Sequence, residues 1–172
     1  KDICHVIVTH MHWDHAGGVS LFPRATFYIQ ENEYRFWQDN PVAGRPPFKQ
    51  VSDSASNTYL AAIENTDRLI LLNNDQPILP GIECLLSPGH TVALQSVAVN
   101  TDRGTAIIGS DCAHVFRNYT EDWPSSLIVD LVEWMKTYDK LGARVSSPDL
   151  LFPGHDRVLL EKFPEIAEDI NR

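Results

Sequence analysis

The chain has 172 residues, of which 43% are hydrophobic, and its 14 Lys and Arg against 23 Asp and Glu give a formal net charge of −9. This length and composition suit the core of one domain and exclude a disordered or low-complexity chain. The negative charge argues against nucleic acid, whose phosphates require a basic surface. The longest apolar runs, such as Leu69–Leu72, fall far short of the roughly 20 residues that span a membrane.

The number and spacing of the cysteines, together with the first residues, indicate the cellular compartment of the protein. The three cysteines, Cys4, Cys84 and Cys112, are odd in number and have no CxxC spacing, which disfavours a disulfide framework and thiolate zinc sites. Residues 1–4 lack the basic and apolar regions of a signal peptide. Both observations predict a cytoplasmic protein. Because the chain starts without Met and directly with strand-like residues, we expect it to be the C-terminal portion of a longer protein.

In chain order, the predicted elements alternate between strands and helices. Apolar, β-branched runs indicate strands, and apolar residues at helical spacing indicate helices. The predicted strands are 3–9, 26–29, 69–72, 82–86, 96–100, 105–109 and 150–152, and the predicted helices are 16–22, 31–38, 56–65, about 127–141 and a last one from Pro164. Residues 39–54 contain three prolines and are predicted to form a long loop. This order predicts an α/β or α+β protein with polar residues at strand ends, where open sheets bind ligands.

The segment after the first predicted strand indicates a metal site. Three of the seven histidines fall within six residues, in Thr9-His10-Met11-His12-Trp13-Asp14-His15. Side chains alternate along an extended segment, so His10 and His12 point the same way and are able to bind one ion. Asp14 and His15 lie beyond the turn and are able to face a neighbouring ion. Imidazole nitrogens and carboxylate oxygens are typical ligands of zinc, so this set predicts a metal centre, although one histidine alone would not.

Three later segments each end a predicted strand with a further metal-binding side chain. A histidine follows a Pro-Gly turn in Ser87-Pro88-Gly89-His90 and again in Phe152-Pro153-Gly154-His155, and Gly109-Ser110-Asp111 ends a strand with an aspartate. Each feature alone is commonly an ordinary turn residue. Together they predict that side chains from four stretches of the chain converge at one edge of the fold.

The complete pattern, His10-x-His12-x-Asp14-His15 followed by His90, Asp111 and His155, resembles the metallo-β-lactamase superfamily of dinuclear hydrolases, most closely its quorum-quenching N-acyl homoserine lactonases. The resemblance implies an α/β fold, the αβ/βα sandwich, in a single metallo-hydrolase domain over residues 1–172. It also implies that this sandwich is incomplete at its N-terminus, because the family has strands before HxHxDH that this chain lacks.

The resemblance also implies two divalent metal ions, with zinc as the first choice and iron, manganese or cobalt as alternatives. His10, His12 and His90 would hold the first ion, Asp14, His15 and His155 the second, and Asp111 would bridge them.

The resemblance further implies that the protein opens a lactone or a related ester, with hydroxide formed from water between the two ions as the nucleophile. Asp14 or His114 would deliver a proton to the leaving group, so both are candidate catalytic residues. The lactonases carry a substrate-contacting tyrosine three residues after the bridging aspartate, where this chain has His114. We therefore predict that His114, Trp13 and Tyr119 bind substrate, with Tyr119 as a substitute for the family tyrosine.

Other functions stay open on the sequence alone. A thioester hydrolase of the glyoxalase-II type would use the same ligands, an iron-bound oxygenase-like member would use one metal, and a metal-binding module would perform no catalysis. We expect a small-molecule lactone or ester as the partner. We expect the protein to bind neither nucleic acid nor a membrane. An N-terminal fragment or a second chain would complete the fold, and a homodimer is also open.

Overall fold

The structure is a computed structural model that describes residues 3–163, 165–167 and 170–171. Its strands are β1 His5–Ile7, β2 Thr26–Gln30, β3 Leu69–Leu72, β4 Gln76–Leu79, β5 Ile82–Leu86, β6 Gln95–Thr101, β7 Gly104–Ser110, β8 Leu151–Pro153, β9 Glu165–Ala167 and β10 Ile170–Asn171. Its α-helices are α1 Trp13–Ala16, α2 Glu31–Asp39, α3 Pro46–Lys49, α4 Ser54–Ala62, α5 Phe116–Thr120, α6 Leu131–Arg144 and α7 Val158–Lys162. Short 3-10 helices cover Val19–Leu21, Pro41–Gly44 and Pro148–Leu150.

The first half of the chain forms a parallel sheet in the order β1-β2-β3. Parallel neighbours need long connections, and helices supply them here. The core of this half includes Phe27 and Ile29 from β2, Tyr34 from α2 and Leu60 from α4, all fully buried. Because β1 ends beside β2, the segment that follows β1 emerges at the carboxyl edge of this sheet.

The second half forms a five-stranded sheet in the order β4-β5-β6-β7-β8. The pairs from β4 to β7 are antiparallel, whereas β8 is parallel to β7 and returns through α6. Its core includes Leu85, Ile107, Leu141 and Leu151, which are fully buried. The parallel pairing brings the residues after β7 and those after β8 to the same edge of the sheet.

A polar seam joins the two halves. The side chain of Gln95, on β6, donates hydrogen bonds to the backbone oxygens of Val8 (2.9 Å) and Tyr28 (3.0 Å). It accepts one from the side chain of Gln30 (3.1 Å). Buried amides are stable only when they are hydrogen-bonded in this way. The seam therefore holds the end of the first sheet against the second sheet, at the level of residues 9–15.

Most predicted elements are present, and the differences have local causes. The predicted loop 39–54 contains a 3-10 helix and α3, each of which has proline in its first turn, a position that suits proline. Helix α6 begins at Leu131, later than predicted, because Asp130 caps it by accepting a hydrogen bond from the backbone of Glu133. The last described helix is α7, which precedes Pro164. Pro164 itself lies outside the described residues, and the helix predicted from it is wrong over Glu165–Ala167, which form β9.

Several described elements are absent from the predicted set, among them β4 and α5. The edge strand β4 contains Pro77, which ordinarily disfavours a strand assignment. Helix α5 is only five residues long and too short to show apolar periodicity. Among the described residues, no helix has the length and apolar character needed to cross a membrane.

Candidate metal centre

The segment after β1 is held in place by its own helical turn and by a neighbouring loop. The backbone nitrogen of Ala16 donates to the oxygen of His12 (2.9 Å), and that of Trp13 donates to Val51 (3.0 Å). His10 is fully buried and His12 is almost so, and their ring centroids are 4.6 Å apart. His15 lies on α1, with its ring centroid 4.1 Å from that of His10. The three histidines of the motif therefore face one another.

His90 reaches the same place from the second sheet. Gly89 has φ +140°, and a Cβ atom there would lie 2.4 Å from the Cβ of Trp134, so the turn requires glycine. The Nδ1 atom of His90 lies 2.9 Å from the backbone oxygen of Leu127. This hydrogen bond leaves Nε2 for the site, 3.1 Å from Nδ1 of His12.

Asp111 is the centre of the cluster. It is 3% exposed, and its Oδ1 atom lies 3.2 Å from Nε2 of His15 and 3.1 Å from Nε2 of His155. Its Oδ2 atom lies 3.5 Å from Nε2 of His90 and 3.2 Å from Nε2 of His114. Burial alone would raise the pKa of Asp111, but the histidines around it hold that pKa well below its usual range. Asp111 is therefore an anion whose two oxygens face different sets of histidines.

The turn that carries His155 is hydrogen-bonded to the backbone of the segment that carries Asp111. The backbone nitrogen of Gly154 donates to the oxygens of Ser110 (3.1 Å) and Ala113 (2.9 Å), and that of His155 donates to His114 (2.8 Å). Nε2 of His155 also lies 3.6 Å from Oδ2 of Asp14, which is in turn 3.5 Å from Nε2 of His15. Asp14, His15 and His155 thus form a second, more exposed part of the cluster.

The donor set fits divalent metal ions. Four overlapping groups have ligand atoms within 4.8 Å of one another: His10, His12 and His90; His10, His15 and Asp111; Asp14, His15 and His155; and His90, Asp111 and His114. Two nitrogens on one tetrahedral zinc ion lie about 3.3 Å apart, close to the distances found here. Buried atoms without a hydrogen bond also point into the cluster, among them Nε2 of His10 and Oδ1 of Asp111. Buried polar atoms without a hydrogen bond destabilise the fold unless a partner such as a cation contacts them.

The protonation of the imidazoles favours the same role. Burial lowers the pKa of His12 and of His90 to about 4 and lowers that of His10 well below its ordinary value. Burial also acts on His15, but the carboxylates of Asp111 and Asp14 outweigh it and raise its pKa. Three of these imidazoles are therefore neutral at pH 7, the form that binds a metal ion.

All seven predicted metal ligands lie in this cluster, together with His114, whereas Trp13 and Tyr119, the other two predicted substrate residues, contribute no ligand atom to it. The ring of His114 stacks on that of His155, with centroids 5.4 Å apart. Trp13 is 59% exposed at the start of α1. Tyr119 packs edge-on against Tyr138 (5.4 Å) at the core of the second half, and it is not among the residues that converge on Asp111.

An apolar cleft opens beside His12 and His90. Its volume is about 300 Å³, and its walls include Phe36, Phe48 and Leu127. The sequence prediction placed residues from about 127 onward in the helix that ends near 141, whereas the structure has no regular element over 126–129 and places these residues in the cleft wall. A cleft of this kind suits the apolar part of a small molecule whose polar part reaches the histidines.

Sequence reasoning also missed Glu33, a fully buried carboxylate on α2. Burial raises its pKa, and four hydrogen bonds from neutral donors oppose that shift. The available signal was its position four residues before Trp37, which places a carboxyl on the apolar face of the helix.

Comparisons with known proteins identify the family and the fold of the chain. A family model described as the metallo-beta-lactamase superfamily matches residues 1–155. An N-acyl homoserine lactonase from a Bacillus species is 25% identical over 164 residues, which cover 91% of this chain and 57% of that protein. The chain thus spans a little over half the length of this relative.

Solved structures show the same fold. An N-acyl homoserine lactone hydrolase with N-hexanoyl-L-homoserine at its catalytic metal centre has a TM-score of 0.74 and 21% identity, covering 94% of this chain and 59% of that one. AidC, a dizinc quorum-quenching lactonase, has a TM-score of 0.68 and 23% identity, covering 90% and 57%. At these identities the likeness concerns the fold.

Proposed function

Since the chain belongs to the metallo-beta-lactamase superfamily, we propose that it forms the metal-binding part of a hydrolase that opens a lactone or a related ester. The family and the αβ/βα sandwich predicted from the histidine motif are confirmed by the family match and by the solved structures of the same fold. The observation that carries the proposal is the convergence of histidines from both halves of the chain on the two oxygens of Asp111.

Two divalent cations fit this donor set, with zinc first. His10, His12 and His90 would hold one, Asp14, His15 and His155 the other, and Asp111 would lie between them. Divalent cations bound there would ionise water near neutral pH and polarise the carbonyl group of an ester. The two carboxylates, Asp14 and Asp111, carry less negative charge than two divalent ions carry positive charge, so the filled site would have a net positive charge that favours the negative charge developing on the attacked carbonyl.

The residues proposed to handle protons lie at the rim of the cluster. The side chain of Asp14 is 31% exposed, so its Oδ2 atom is open to a bound substrate, and Asp14 would relay a proton to the leaving oxygen of the opened ester. The side chain of His114 is 21% exposed, and its Nε2 atom is within 3.2 Å of Asp111. From that position His114 would donate a hydrogen bond to the substrate carbonyl.

The substrate is proposed to carry an apolar acyl group. The cleft beside His12 and His90 would receive that group while the ester lies over the histidines. The product bound to the solved lactone hydrolase, an N-hexanoyl amino acid, has the same division into an apolar and a polar part. Trp13, exposed next to the cluster, would cover the substrate, and a contact from Tyr119 stays a prediction.

The test combines metal removal with a substrate panel. The purified protein is dialysed against a chelator, reloaded with Zn²⁺, and assayed on acyl lactones, simple esters and thioesters. We expect about two Zn²⁺ per chain and lactone or ester hydrolysis that the chelator abolishes. Asp111→Asn should lower the rate at least about 100-fold, whereas Asp149→Asn, at an exposed carboxylate, should leave it unchanged.

Three outcomes contradict the proposal. Hydrolysis that survives complete metal removal would exclude the metal mechanism. A zinc-loaded protein that cleaves thioesters but neither lactones nor esters would favour the glyoxalase-II type. A single bound iron without hydrolysis would favour an oxygenase-like protein.

A further inference from the structure

We propose that Glu33 is a positioning residue for the cation site formed by His10, His12 and His90. This inference rests on the proposed function, because it requires that a cation binds there. Glu33 is fully buried on α2. Burying a carboxyl is costly unless its oxygens are fully hydrogen-bonded, so the contacts of this residue indicate what it stabilises.

One oxygen of Glu33 holds the histidine pair in the first half of the chain. Oε1 accepts a hydrogen bond from the backbone nitrogen of Met11 (3.1 Å), the residue between His10 and His12. It also accepts one from Nε1 of Trp37 (2.8 Å). The ring of Trp37 stands edge-on to that of His12, with centroids 5.8 Å apart. This oxygen therefore fixes both the backbone of the pair and the wall behind one of its rings.

The other oxygen holds the turn that carries His90. Oε2 accepts hydrogen bonds from the hydroxyl of Thr91 (2.7 Å) and from the backbone nitrogen of Ala93 (3.1 Å). Both donors belong to the second half of the chain, directly after His90. The carboxylate thus joins the two halves where His90 and His12 come within 3.1 Å of each other. A residue that hydrogen-bonds to the segments carrying the ligands, and not to the metal ion itself, sets the spacing and orientation of those ligands.

A carboxylate suits this position better than an amide. All four partners are donors, and within the described part of the chain no cationic side chain forms an ion pair with Glu33. Glutamine has nearly the same shape, but it offers one oxygen, and its NH₂ group would face two donors. Glu33→Gln would therefore loosen one of the two segments from the other without creating a cavity.

The experiment measures metal affinity independently of hydrolysis. Zn²⁺ binding is titrated against a chromophoric chelator, and Co²⁺ binding is followed by its absorption spectrum. For Glu33→Gln we expect one of the two Zn²⁺ equivalents to bind about 10–100-fold more weakly, the other to stay within about twofold, and the Co²⁺ spectrum of the weakened site to change. The control is Tyr34→Phe, which removes a hydrogen bond to Glu64 (2.8 Å) from the same helix. It should lower stability but leave both Zn²⁺ affinities unchanged.

Two results would overturn the inference. If folded Glu33→Gln binds both Zn²⁺ equivalents as the natural protein does, Glu33 has no positioning role, and the proposed function still stands. If Glu33→Gln does not fold, Thr91→Val decides, because it removes one donor and keeps the side-chain shape. For Thr91→Val we expect the affinity for one of the two Zn²⁺ equivalents to fall at least about threefold. Unchanged Zn²⁺ binding in this variant would overturn the inference. A natural protein that binds no Zn²⁺ would instead contradict the proposed function itself.

Discussion

Gly154 packs directly against the carboxylate of Asp111. A Cβ atom at this position would lie 2.5 Å from Oδ1 of Asp111 and 3.1 Å from the backbone carbon of Ser110. Gly154 is not among the residues with positive φ, so alanine is able to adopt its backbone conformation. Gly154→Ala therefore acts through the contact with Asp111 rather than through backbone strain, which makes it a direct test of the central carboxylate.

The size of the effect follows from the displacement that the methyl group imposes. Ordinary van der Waals contact begins at 3.4 Å, so Oδ1 of Asp111 must retreat by about 0.9 Å. Metal–ligand distances tolerate only about 0.2 Å. The carboxylate would thus leave its position between His15 and His155, 3.2 Å and 3.1 Å away. We expect Zn²⁺ affinity to fall about 10–100-fold, or about 1.4–2.7 kcal/mol.

The assay is Zn²⁺ titration in competition with a chromophoric chelator, on the natural protein and on the variants Gly154→Ala and Gly18→Ala. Gly18→Ala is the control, because it lies close to the histidine motif but its Cβ would meet only Leu21, at 3.8 Å. Its affinity should stay within about twofold of the natural protein. Unchanged affinity in Gly154→Ala would refute the reasoning, and so would an equal loss in both variants.

Three further predictions concern stability and thiol reactivity. Removing Zn²⁺ with a chelator should lower Tm by about 8–16 °C, because one ion at 1,000 times its Kd contributes about 4.1 kcal/mol; calorimetry showing no shift would argue against bound metal. Gly89→Ala, whose Cβ would meet Trp134 at 2.4 Å, should cost about 2–5 kcal/mol in denaturant unfolding, whereas Gly44→Ala, with no atom within 4 Å, should change it by less than about 1 kcal/mol. Burial raises the pKa of Cys84 and of Cys112 to about 12, so neither thiol should react with Ellman's reagent at pH 8 before unfolding.

The proposed metal ligands could be predicted from the sequence because their signal is local. HxHxDH places four proposed ligands within six residues, and each later one follows a strand at a recognisable turn. The strands Leu69–Leu72 and Ile82–Leu86 have the predicted bounds, because turn-forming residues end their apolar runs on both sides. Where the pattern depends on neighbours in sequence, prediction and structure agree.

The remaining features depend on contacts between distant segments. The burial of Glu33 is decided by donors at Thr91 and Ala93, about sixty residues away, and no periodicity in α2 reveals them. Tyr119, on α5, packs against Tyr138, on α6, and neither the sequence of α5 nor its length reveals this contact. Strand β4 forms in spite of Pro77 because it lies at the edge of its sheet, where a missing donor is tolerated.

The arrangement of β7, α6 and β8 has a consequence for the order in which the protein matures. His10 and His155 are 145 positions apart, and His155 reaches the cluster only when β8 has docked beside β7. Contacts of such long range form late in folding, after the entropy of closing the loop has been overcome. A nascent chain that has not yet extended past β8 would therefore lack His155, the last of the proposed ligands, and its cluster would be incomplete.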